Sequence, residues 1–429
     1  MKSFGRALLI ALGTGMLAVG CGSDPLTRSE RGILEGFRLG PVPPDPTNAV
    51  ADDPAAAALG QQLFFDTRFS GPLLMDSALG LAGEAGLVAC ATCHEPAEGG
   101  TDHRSTPGNV SIAAGYTGRN APTIYNARHD GPWEFWDGRR DSLWSQALGP
   151  LESAAEHDGS RLQYAHLLYD CYRPAYEATF GPMPDLADAV RFPPDGKPGD
   201  PPWEAMAAAD QDAVNRVYAN LGKAVAAYER LLVSADSPFD RFMAGDETAM
   251  SEGAVRGAKL FIGKASCNEC HNGGNFSDGL FHNVGVPQAG PNLPAVDRGR
   301  ADGIAAVLAD PFNAAGAYSD DPTASGHLDG LVERPEDEGA FKTPTLRGVS
   351  RTAPYMHNGM LATLRDVVVH YRDGGGPPGS FAGTLDSAMA PLALDDQEID
   401  DLVAFLEALD GAPLPPALVT APVLPAGCP

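Results

Sequence analysis

Two short cysteine motifs carry the strongest chemical signal in the chain. Each has the pattern Cys-x-x-Cys-His, first at residues 90–94 and again at residues 267–271. In this pattern the two thiols can add across the vinyl groups of one haem, while the histidine binds the iron. The motifs therefore predict two covalently bound haem c groups, attached or ligated by Cys90, Cys93, His94, Cys267, Cys270 and His271.

Two other uses of these residues are open in principle. Thiolate and imidazole groups also bind zinc, and a Cys-x-x-Cys pair alone can act as a redox dithiol. One copy of the motif would leave both alternatives standing. Two copies, each with histidine directly after the second cysteine, favour haem. Four of the seven cysteines are used in this way, which agrees with that interpretation.

The N-terminus has the pattern of an export signal. Lys2 and Arg6 precede an apolar run at residues 7–19, which is too short to span a bilayer and is typical of a signal peptide. The sequence up to Cys21 resembles a lipoprotein cleavage box, which predicts a signal peptide at residues 1–20 and a lipid anchor on Cys21. Ordinary secretion with loss of Cys21 is the alternative. Both interpretations predict an exported, periplasmic protein.

The charge of the chain limits its partners. The formal net charge is -26, and removal of the two positive charges of Lys2 and Arg6 with the signal peptide lowers it to -28. So acidic a surface disfavours nucleic acid and anionic lipid, and membrane contact is expected only through an anchor at Cys21. A protein partner would be basic. Cys171 and Cys428 are left over, and in an oxidising compartment they can pair.

Composition and hydrophobic periodicity predict a mainly α-helical protein with long loops. Hydrophobic residues make up 43% of the chain, while glycine (50) and proline (38) are abundant. No role is predicted for a Gly- and Ala-rich insertion at residues 71–89. Helices are predicted near residues 54–65, 142–148 (with Pro150 ending it), 161–179, 210–232, 253–261, 364–371 and 395–409.

The two halves of the chain share a plan. A predicted helix precedes each haem motif, and Pro122-Thr123-Ile124 after the first motif is echoed by Pro344-Thr345-Leu346 after the second. The repeat suggests internal duplication. The predicted division is a signal peptide at 1–20, a flexible tether at 21–53, an N-terminal haem domain at 54–235, a C-terminal haem domain at 236–412 and a Pro-rich tail at 413–429.

Five segments in a fixed order are more specific than any single motif. Over roughly residues 55–410 the chain resembles the bacterial di-haem cytochrome c peroxidase and MauG family. The resemblance implies two cytochrome c-like domains whose haems face across an interface. Hydrogen peroxide is then handled at the N-terminal haem, and the C-terminal haem relays electrons from a small cytochrome or copper protein. Besides the two haem motifs, the segments are Arg119-Asn120-Ala121-Pro122-Thr123, Phe135-Trp136-Asp137-Gly138-Arg139 and Thr352-Ala353-Pro354-Tyr355-Met356-His357-Asn358-Gly359.

The resemblance also implies the residues of a peroxide site. Glu156 matches the general acid/base that moves a proton between the two peroxide oxygens, Gln146 matches a pocket glutamine, and Pro150 lies near the open face of the iron. Trp136 matches the aromatic residue between the haems. Without the resemblance, Glu156 would be taken for a surface acid and Trp136 for a packing residue.

A calcium site and a ligand of the second haem follow in the same way. Asn120, with the carbonyl oxygens of Thr352 and Pro354, matches a calcium site at the domain interface, and oxygen ligands suit that cation. Tyr371 matches the sixth ligand of the second haem, which is methionine in the peroxidases and tyrosine in MauG. The alternatives within reach are His370, Met356 and Met360, while His282 and Arg300 match positions that orient haem propionates.

One family residue is missing from the first haem domain. In many of the peroxidases, a histidine from the loop after the first motif blocks the peroxidatic iron until the other haem is reduced. The matching place lies near Gly108 and Asn109, which contain no histidine, and His103 is a weak substitute. The first haem is therefore expected to be open without reductive activation.

Three functions are compared. The leading expectation is a peroxidase that reduces hydrogen peroxide to water with electrons from a small redox protein. Tyr371 and the missing histidine favour, as the alternative, a MauG-like oxidase that uses peroxide to modify a side chain of a partner protein. A pure electron-transfer cytochrome is disfavoured, because Gln146 and Glu156 lie beside an iron with no evident sixth ligand.

Overall fold

The described part of the chain is mainly helical, which confirms the predicted class. The structure, a computed structural model, describes Met1, residues 25–129 and residues 131–427. Its α-helices are α1 (Arg28–Glu35), α2 (Pro54–Phe65), α3 (Cys90–Cys93), α4 (Leu143–Glu152), α5 (Arg161–Leu167), α6 (Arg173–Phe180), α7 (Pro201–Glu204), α8 (Ala208–Glu229), α9 (Pro238–Met243), α10 (Glu252–Phe261), α11 (Arg300–Ala309), α12 (Leu364–Arg372), α13 (Asp396–Glu407) and α14 (Pro416–Val419). Strands β1 (Phe281–His282) and β2 (Phe341–Lys342) pair antiparallel, and 3₁₀ turns lie at Ala127–His129, Cys267–Glu269, Pro322–Leu328, Pro335–Asp337 and Val349–Arg351.

Two hydrophobic cores divide the chain. The first lies among α2, α4, α5 and α8 and includes the fully buried Trp144. The second lies among α9, α10, α12 and α13 and includes the fully buried Phe405. Apart from Leu26, Leu34 and Phe37 in the second core and Phe312 in the first, core membership changes between Leu232 and Phe239. This change falls where the sequence predicts the boundary between the two domains.

Helix starts follow from local capping. Asp53 accepts hydrogen bonds from the backbone N–H groups of the first turn of α2, and Pro54 takes the first helical position, where no N–H is needed. Asp395 caps α13 in a reciprocal box with Glu398. Six of the seven predicted helices have a single observed counterpart, with ends that differ by a few residues.

Each core contains a close crossing of two helices at a glycine. In the first, a Cβ on Gly60 of α2 would lie 1.8 Å from the carbonyl oxygen of Ala224 in α8. In the second, a Cβ on Gly257 of α10 would lie 1.9 Å from the carbonyl oxygen of Asp401 in α13. Only hydrogen fits at either place. In both domains the first helix of the pair precedes the haem motif and the second ends the domain.

The prediction of a flexible tether at residues 21–53 is wrong for residues 25–53, the part that the structure describes. Its first part contains α1 and packs on the second domain, with Leu26, Leu34 and Phe37 buried in the second core. Residues 47–53 instead contact the first domain, where the Asn48 amide donates to the Lys223 carbonyl oxygen at 3.1 Å and Asp52 pairs with Arg230 at 2.9 Å. These partners lie far along the chain, so local periodicity gave no signal.

The Pro-rich tail packs on the opposite domain. Within residues 413–427, the short helix α14 lies against the first core. The Gln61 side-chain amide donates to the Ala417 carbonyl oxygen at 2.7 Å, and the Tyr228 hydroxyl donates to the Leu418 carbonyl oxygen at 2.6 Å. The two ends of the chain therefore cross, each onto the domain farther from it in sequence.

Two helix predictions fail at prolines. Pro150 does not end its helix, because α4 continues to Glu152; a proline in the last turn removes only one backbone hydrogen bond. The helix predicted over 161–179 is divided by a wider π-helical turn at Leu168–Tyr172. The α-helix resumes with Pro174 in its first turn, where a missing N–H costs little.

The insertion at residues 71–89 forms one wall of the first haem motif. It is a bridged loop whose apolar residues pack beneath it in a small separate cluster. Cys93, the second cysteine of the motif, packs against that cluster. Its buried members are Leu73, Val88 and Ala113.

Several predicted features fall outside the described residues. The signal peptide, apart from Met1, and Cys21 are among them, as is Cys428. Cys171 is disulfide-bonded, whereas its predicted partner Cys428 is not described. Of the helices in the described ranges, none is long and apolar enough to cross a membrane.

The glycine crossings give a stability prediction. Gly60→Ala and Gly257→Ala should each lower the free energy of unfolding by about 3 kcal/mol, because a methyl group there overlaps a main-chain carbonyl. The control is Gly32→Ala, an exposed position in α1 with nothing within 4 Å of a built Cβ. It should be neutral or stabilising by no more than about 1 kcal/mol. Denaturant unfolding followed by circular dichroism measures this, and equal stability of all three variants would contradict it.

Candidate active site

The first haem motif forms a short helix that ends in an oriented histidine. The backbone N–H of His94 donates to the Cys90 carbonyl oxygen at 3.0 Å, which closes α3. The His94 ring donates from Nδ1 to the Pro122 carbonyl oxygen at 3.0 Å, with the Gly100 carbonyl oxygen at 3.3 Å. Burial lowers the pKa of His94, so the ring is neutral. Nε2 is then the nitrogen left to bind iron.

The second motif repeats this arrangement. The 3₁₀ turn Cys267–Glu269 leads to His271, whose Nδ1 donates to the Phe276 carbonyl oxygen at 2.9 Å. Burial lowers the pKa of His271 as well. Each motif thus presents a neutral imidazole whose Nδ1 is bonded to a main-chain carbonyl. This bond fixes the direction in which Nε2 points.

One cavity of about 460 Å³ reaches both histidines. Its lining is mostly apolar, which suits a porphyrin ring, and the cysteines of the second motif lie in its wall. The donor set of two neutral imidazoles and four cysteines therefore fits two covalently bound haems. The residues that line this cavity include His94, Asn120, Phe135, Trp136, Gln146, His271, Thr352, Pro354, Met356, Tyr371 and Met389.

Glu156 lies in a tight loop beside the first motif. The loop is closed by the Pro150 carbonyl oxygen, which accepts from the N–H groups of Ser153 at 3.2 Å and His157 at 3.1 Å. The Ala114 N–H donates to the Glu156 carbonyl oxygen at 2.9 Å. Burial raises the pKa of Glu156, while the nearby Arg139 guanidinium acts to lower it. The Glu156 charge also raises the pKa values of the thiols of both cysteines in the first motif.

Gln146 and Trp136 line the cavity, whereas Glu156 and Pro150 do not. Gln146 lies on α4, one turn before Pro150. The Trp136 indole N–H donates to the Asn120 carbonyl oxygen at 2.8 Å, and the Trp136 main-chain carbonyl accepts from the Lys342 N–H at 2.7 Å. The Trp136 ring is thus held by its own domain, and its main chain is bonded to the other.

The three residues predicted to bind calcium come together at the domain interface. The Asn120 amide Nδ2 donates to the Pro354 carbonyl oxygen at 2.8 Å, and Thr352 lines the cavity nearby. Asn120 Oδ1 is buried and has no hydrogen-bond partner within the described ranges. A buried oxygen without a partner beside a main-chain carbonyl fits the donor set that calcium prefers.

Tyr371 faces the second haem motif, and the neighbouring histidine does not. Tyr371 lines the cavity together with Cys267 and Cys270, and burial raises the pKa of its hydroxyl. His370 instead donates from Nε2 to the Val284 carbonyl oxygen at 2.8 Å.

The methionines near the second motif differ in position. Met356 lines the cavity, whereas Met360 lies near Gly108 in the other domain's loop and does not line it. Met389 lines the cavity too, although the sequence gave no reason to select it because it lies in a loop without a motif. Met356 and Met389 therefore remain the methionines that face this site.

The loop after the first motif contacts the second domain. Asn109 Oδ1 accepts from the Asn292 side-chain amide at 2.9 Å, at the place where the sequence has no blocking histidine. His103 is exposed, and its Nε2 bonds the carbonyl oxygen of Glu98. His103 is therefore held at the surface and does not line the cavity.

The two residues matched to propionate positions have different surroundings. His282 lines the cavity between two carboxylates, 3.0 Å from Asp278 and 2.8 Å from Asp386, and these raise the pKa of His282 to about 11. Arg300 does not line the cavity. Its guanidinium lies between the rings of Trp133 and Phe281, about 4 Å from each.

Arg119 is an interface residue whose role the sequence did not predict. Its guanidinium bonds Asp137 of its own domain at 2.6 Å and Asp297 of the other domain at 2.7 Å. His357, also without a predicted role, stacks on Phe341 with ring centroids 3.5 Å apart. Arg119 is the first residue of the segment that also contains Asn120 and Pro122. Its place in that segment was the one feature of the sequence that could have indicated its interface role.

Comparison with known proteins gives a consistent result. A family profile described as di-haem cytochrome c peroxidase matches residues 54–248. The chain is 36% identical over 388 residues to cytochrome-c peroxidase IdrP1 of Denitromonas iodatirespirans, covering 86% of each protein. It is 32% identical to the methylamine utilization protein MauG of Methylorubrum extorquens, over 87% of this chain and 82% of that one.

Solved structures agree on the fold. A MauG-like protein associated with microbial copper homeostasis superposes with a TM-score of 0.60 and 26% identity, over 90% of this chain and 98% of that one. The diheme peroxidase BthA from Burkholderia thailandensis superposes with a TM-score of 0.61 and 23% identity, over 89% and 93% of the two chains. With two His-terminated cysteine motifs on one cavity and relatives matched over most of its length, the chain belongs to the di-haem cytochrome c peroxidase family.

Proposed function

We propose that the protein reduces hydrogen peroxide to water, with electrons delivered by a small redox protein. The observation that carries this proposal is Glu156, a carboxyl whose burial raises its pKa and whose charge acts on both cysteines of the first haem motif. Bound at that motif, the haem supplies the iron that coordinates peroxide and accepts its oxidising equivalents. The surrounding residues then have to orient peroxide and move its proton.

Glu156 is the group suited to that proton movement. Its carboxylate takes the proton from the peroxide oxygen nearer the iron and returns it to the farther oxygen, which leaves as water. Burial raises the pKa of Glu156, and the positive charge of Arg139 acts against that rise. Gln146, which lines the cavity as His94 does, can orient peroxide by hydrogen bonding.

Replacement of Glu156 tests this proposal. Glu156→Gln should slow the reaction of the as-isolated ferric enzyme with peroxide by about 100-fold, because the amide cannot accept the proton. In the wild type the rate should decline as pH falls through the raised pKa of Glu156, since the protonated acid cannot act as base; this decline should vanish in the variant. Stopped-flow absorbance measures both effects.

The matched control is Glu98→Gln, which removes an exposed acid from the same domain. It should keep the wild-type rate and pH profile. An unchanged rate in Glu156→Gln would remove Glu156 from this role. A complete absence of reaction in the wild-type protein, in any oxidation state, would refute the peroxidase proposal.

At the second haem, we propose that Tyr371 is the sixth ligand. Tyr371 lines the cavity together with Cys267 and Cys270, whereas His370 donates to the Val284 carbonyl oxygen. A phenolate favours the oxidised iron, in contrast to a thioether, which raises the potential. Trp136, which lines the cavity that reaches both histidines, is proposed as the stepping stone for electrons between the haems.

The ligand assignment predicts a spectroscopic difference between two adjacent variants. Tyr371→Phe should change the low-spin electron paramagnetic resonance signal of the second haem, because phenylalanine has no oxygen to offer. His370→Gln should leave that signal as in the wild type, since His370 donates to a main-chain carbonyl. An unaltered signal in Tyr371→Phe would point instead to Met356 or Met389, which also line the cavity.

A second candidate is a MauG-like oxidase that uses peroxide to modify a side chain of a partner protein. Two observations favour it: Tyr371 faces the second motif, and His103, the loop's nearest histidine to the missing blocking position, is bonded at the surface. The two functions can be distinguished by mixing oxidised protein with peroxide, first without and then with an electron donor. Spectral change at both haems that persists supports the oxidase, while rapid turnover only with a reduced cytochrome or copper protein supports the peroxidase.

We also propose that a calcium ion is held by Asn120 Oδ1 and the carbonyl oxygens of Thr352 and Pro354. The unpartnered, buried Oδ1 supports this site. Elemental analysis of the purified protein should find about one calcium per chain. Asn120→Ala should lose it and Asn109→Ala, in the nearby loop, should retain it. Equal calcium content in the two variants would refute the assignment.

Two broader features are proposed on the same basis. The matching glycine crossings at Gly60 and Gly257, each made by the helix before a haem motif, support an origin of the two domains by internal duplication. The two haem c sites support export, with the N-terminal signal peptide and a lipid on Cys21 as the proposed route and anchor.

A further inference from the structure

Glu229 is a buried acid that takes no part in the chemistry described above. It is the last residue of α8, and 4% of its surface is exposed. Its Oε2 atom is buried and lacks a hydrogen-bond partner among the residues that the structure describes. An anion in such a place is costly, because desolvation is not offset by a partner. The C-terminal end of a 22-residue helix, where the dipole is negative, adds to that cost.

The nearest chemistry is the first haem motif. The charge of Glu229 raises the pKa of the Cys90 thiol and comes second only to burial among the causes. Cys90 packs against the same core as α8. A carboxyl that affects Cys90 this strongly will also respond to the charge of a haem attached there, since fields are weakly screened in a dry interior.

Few other charges face Glu229. Besides Cys90, the titratable neighbours are Tyr228 and Tyr125. Burial raises the pKa of Tyr228, and the charges of Glu229, Tyr125 and Cys90 raise it further. The adjacent Arg230 is paired with Asp52 at 2.9 Å.

The remaining elements packed on Glu229 do not change this picture. Helix α2, which runs along α8, has no acidic, basic or tyrosine side chain between residues 54 and 65. Glu156 also acts on Cys90, but its own charge is moderated by Arg139. Glu229 is thus the acid near this motif whose charge has no cation to balance it.

We propose that Glu229 is the redox-linked proton site of the first haem. When the haem attached at Cys90 gains one electron from the donor, Glu229 takes one proton from solvent and its carboxylate becomes a carboxylic acid. When the electron leaves, the proton leaves as well. One electron and one proton enter together, so the net charge of the buried site stays constant. The inference rests on the proposed function only in placing a haem at the first motif.

The sign of the effect follows from linkage. Proton uptake on reduction means that a higher proton concentration stabilises the reduced haem. Burial raises the pKa of Glu229 to about 8 in the described state. The reduction potential of the first haem should therefore be flat below that pH and fall above it. The fall approaches about 59 mV for each tenfold drop in proton concentration, the one-electron value.

Spectroelectrochemical titration of the full-length holoprotein from about pH 6 to about pH 10 tests the proposal. In Glu229→Gln, which keeps the shape of the side chain, the slope of the first-haem potential should be lost. In Tyr228→Phe, which removes the neighbouring titratable group, it should be retained. A slope that survives in Glu229→Gln overturns the proposal. Loss of the slope in both variants also overturns it, since the effect would then not belong to Glu229.

Two further measurements keep the outcome unambiguous. Pyridine haemochrome analysis should find about two haems per chain in wild type and variant. Fewer than two in the wild type would refute the di-haem function itself, whereas two haems with an unchanged slope in Glu229→Gln refute only the role of Glu229. If that variant does not fold, reduced-minus-oxidised infrared spectra of the wild type must show a carboxylic acid gained on reduction. Absence of that band overturns the proposal.

Discussion

The orientation of two buried histidine rings is the constraint on which this structure depends. Each ring has one N–H, which His94 donates to the carbonyl oxygen of Pro122 and His271 to the carbonyl oxygen of Phe276. A neutral ring held in this way presents Nε2 in one direction. Pro122 belongs to the same short segment as Asn120, which bonds Pro354 across the interface. The position of the first iron ligand is thus tied to the contact between the domains.

That contact is polar and largely buried. Arg119 lies between one carboxylate of each domain. Against the effect of burial, the charges of Arg139 and Arg119 lower the pKa of Asp137, and Arg119 lowers the pKa of Asp297. Pairs of this kind contribute little net stability, but leaving one partner alone is costly, so they define which arrangement of the two domains is allowed. The main chain of Trp136 is bonded across this same interface, where its carbonyl accepts from the Lys342 N–H at 2.7 Å. The position of this cavity-lining residue therefore depends on contacts between the domains.

The sequence predicted the parts of this protein that are encoded locally. The haem motifs depend on spacing alone, and the helix at residues 54–65 has its cap, its proline and its apolar face in one stretch. Glu156, Gln146 and Tyr371 have no such local signature, and they were found through the resemblance of whole segments in order. Gln146 and Tyr371 line the cavity and Glu156 does not, and the role of each is proposed from the resemblance.

Other features depend on contacts between distant parts of the chain and could not be predicted. Leu34 and Phe37 look like isolated apolar residues in a polar stretch until the second core is seen. Met389 has no motif around it, and Glu229 resembles any acid at the end of a helix. Its unusual character lies in what surrounds it, namely a dry core without a cation, and the pattern of residues along α8 does not reveal that.

The crossing of the chain ends has a consequence for how the two halves behave. Residues 26–37 pack in the second core and residues 414–418 lie on the first, so each core is completed by a piece of chain from beyond the other half. Neither half is a complete folding unit when cut at the linker between them. The two halves can separate only after both terminal segments have detached, so the unfolding of one half is coupled to that of the other. The two segments therefore help to keep the distance between the two haem sites constant.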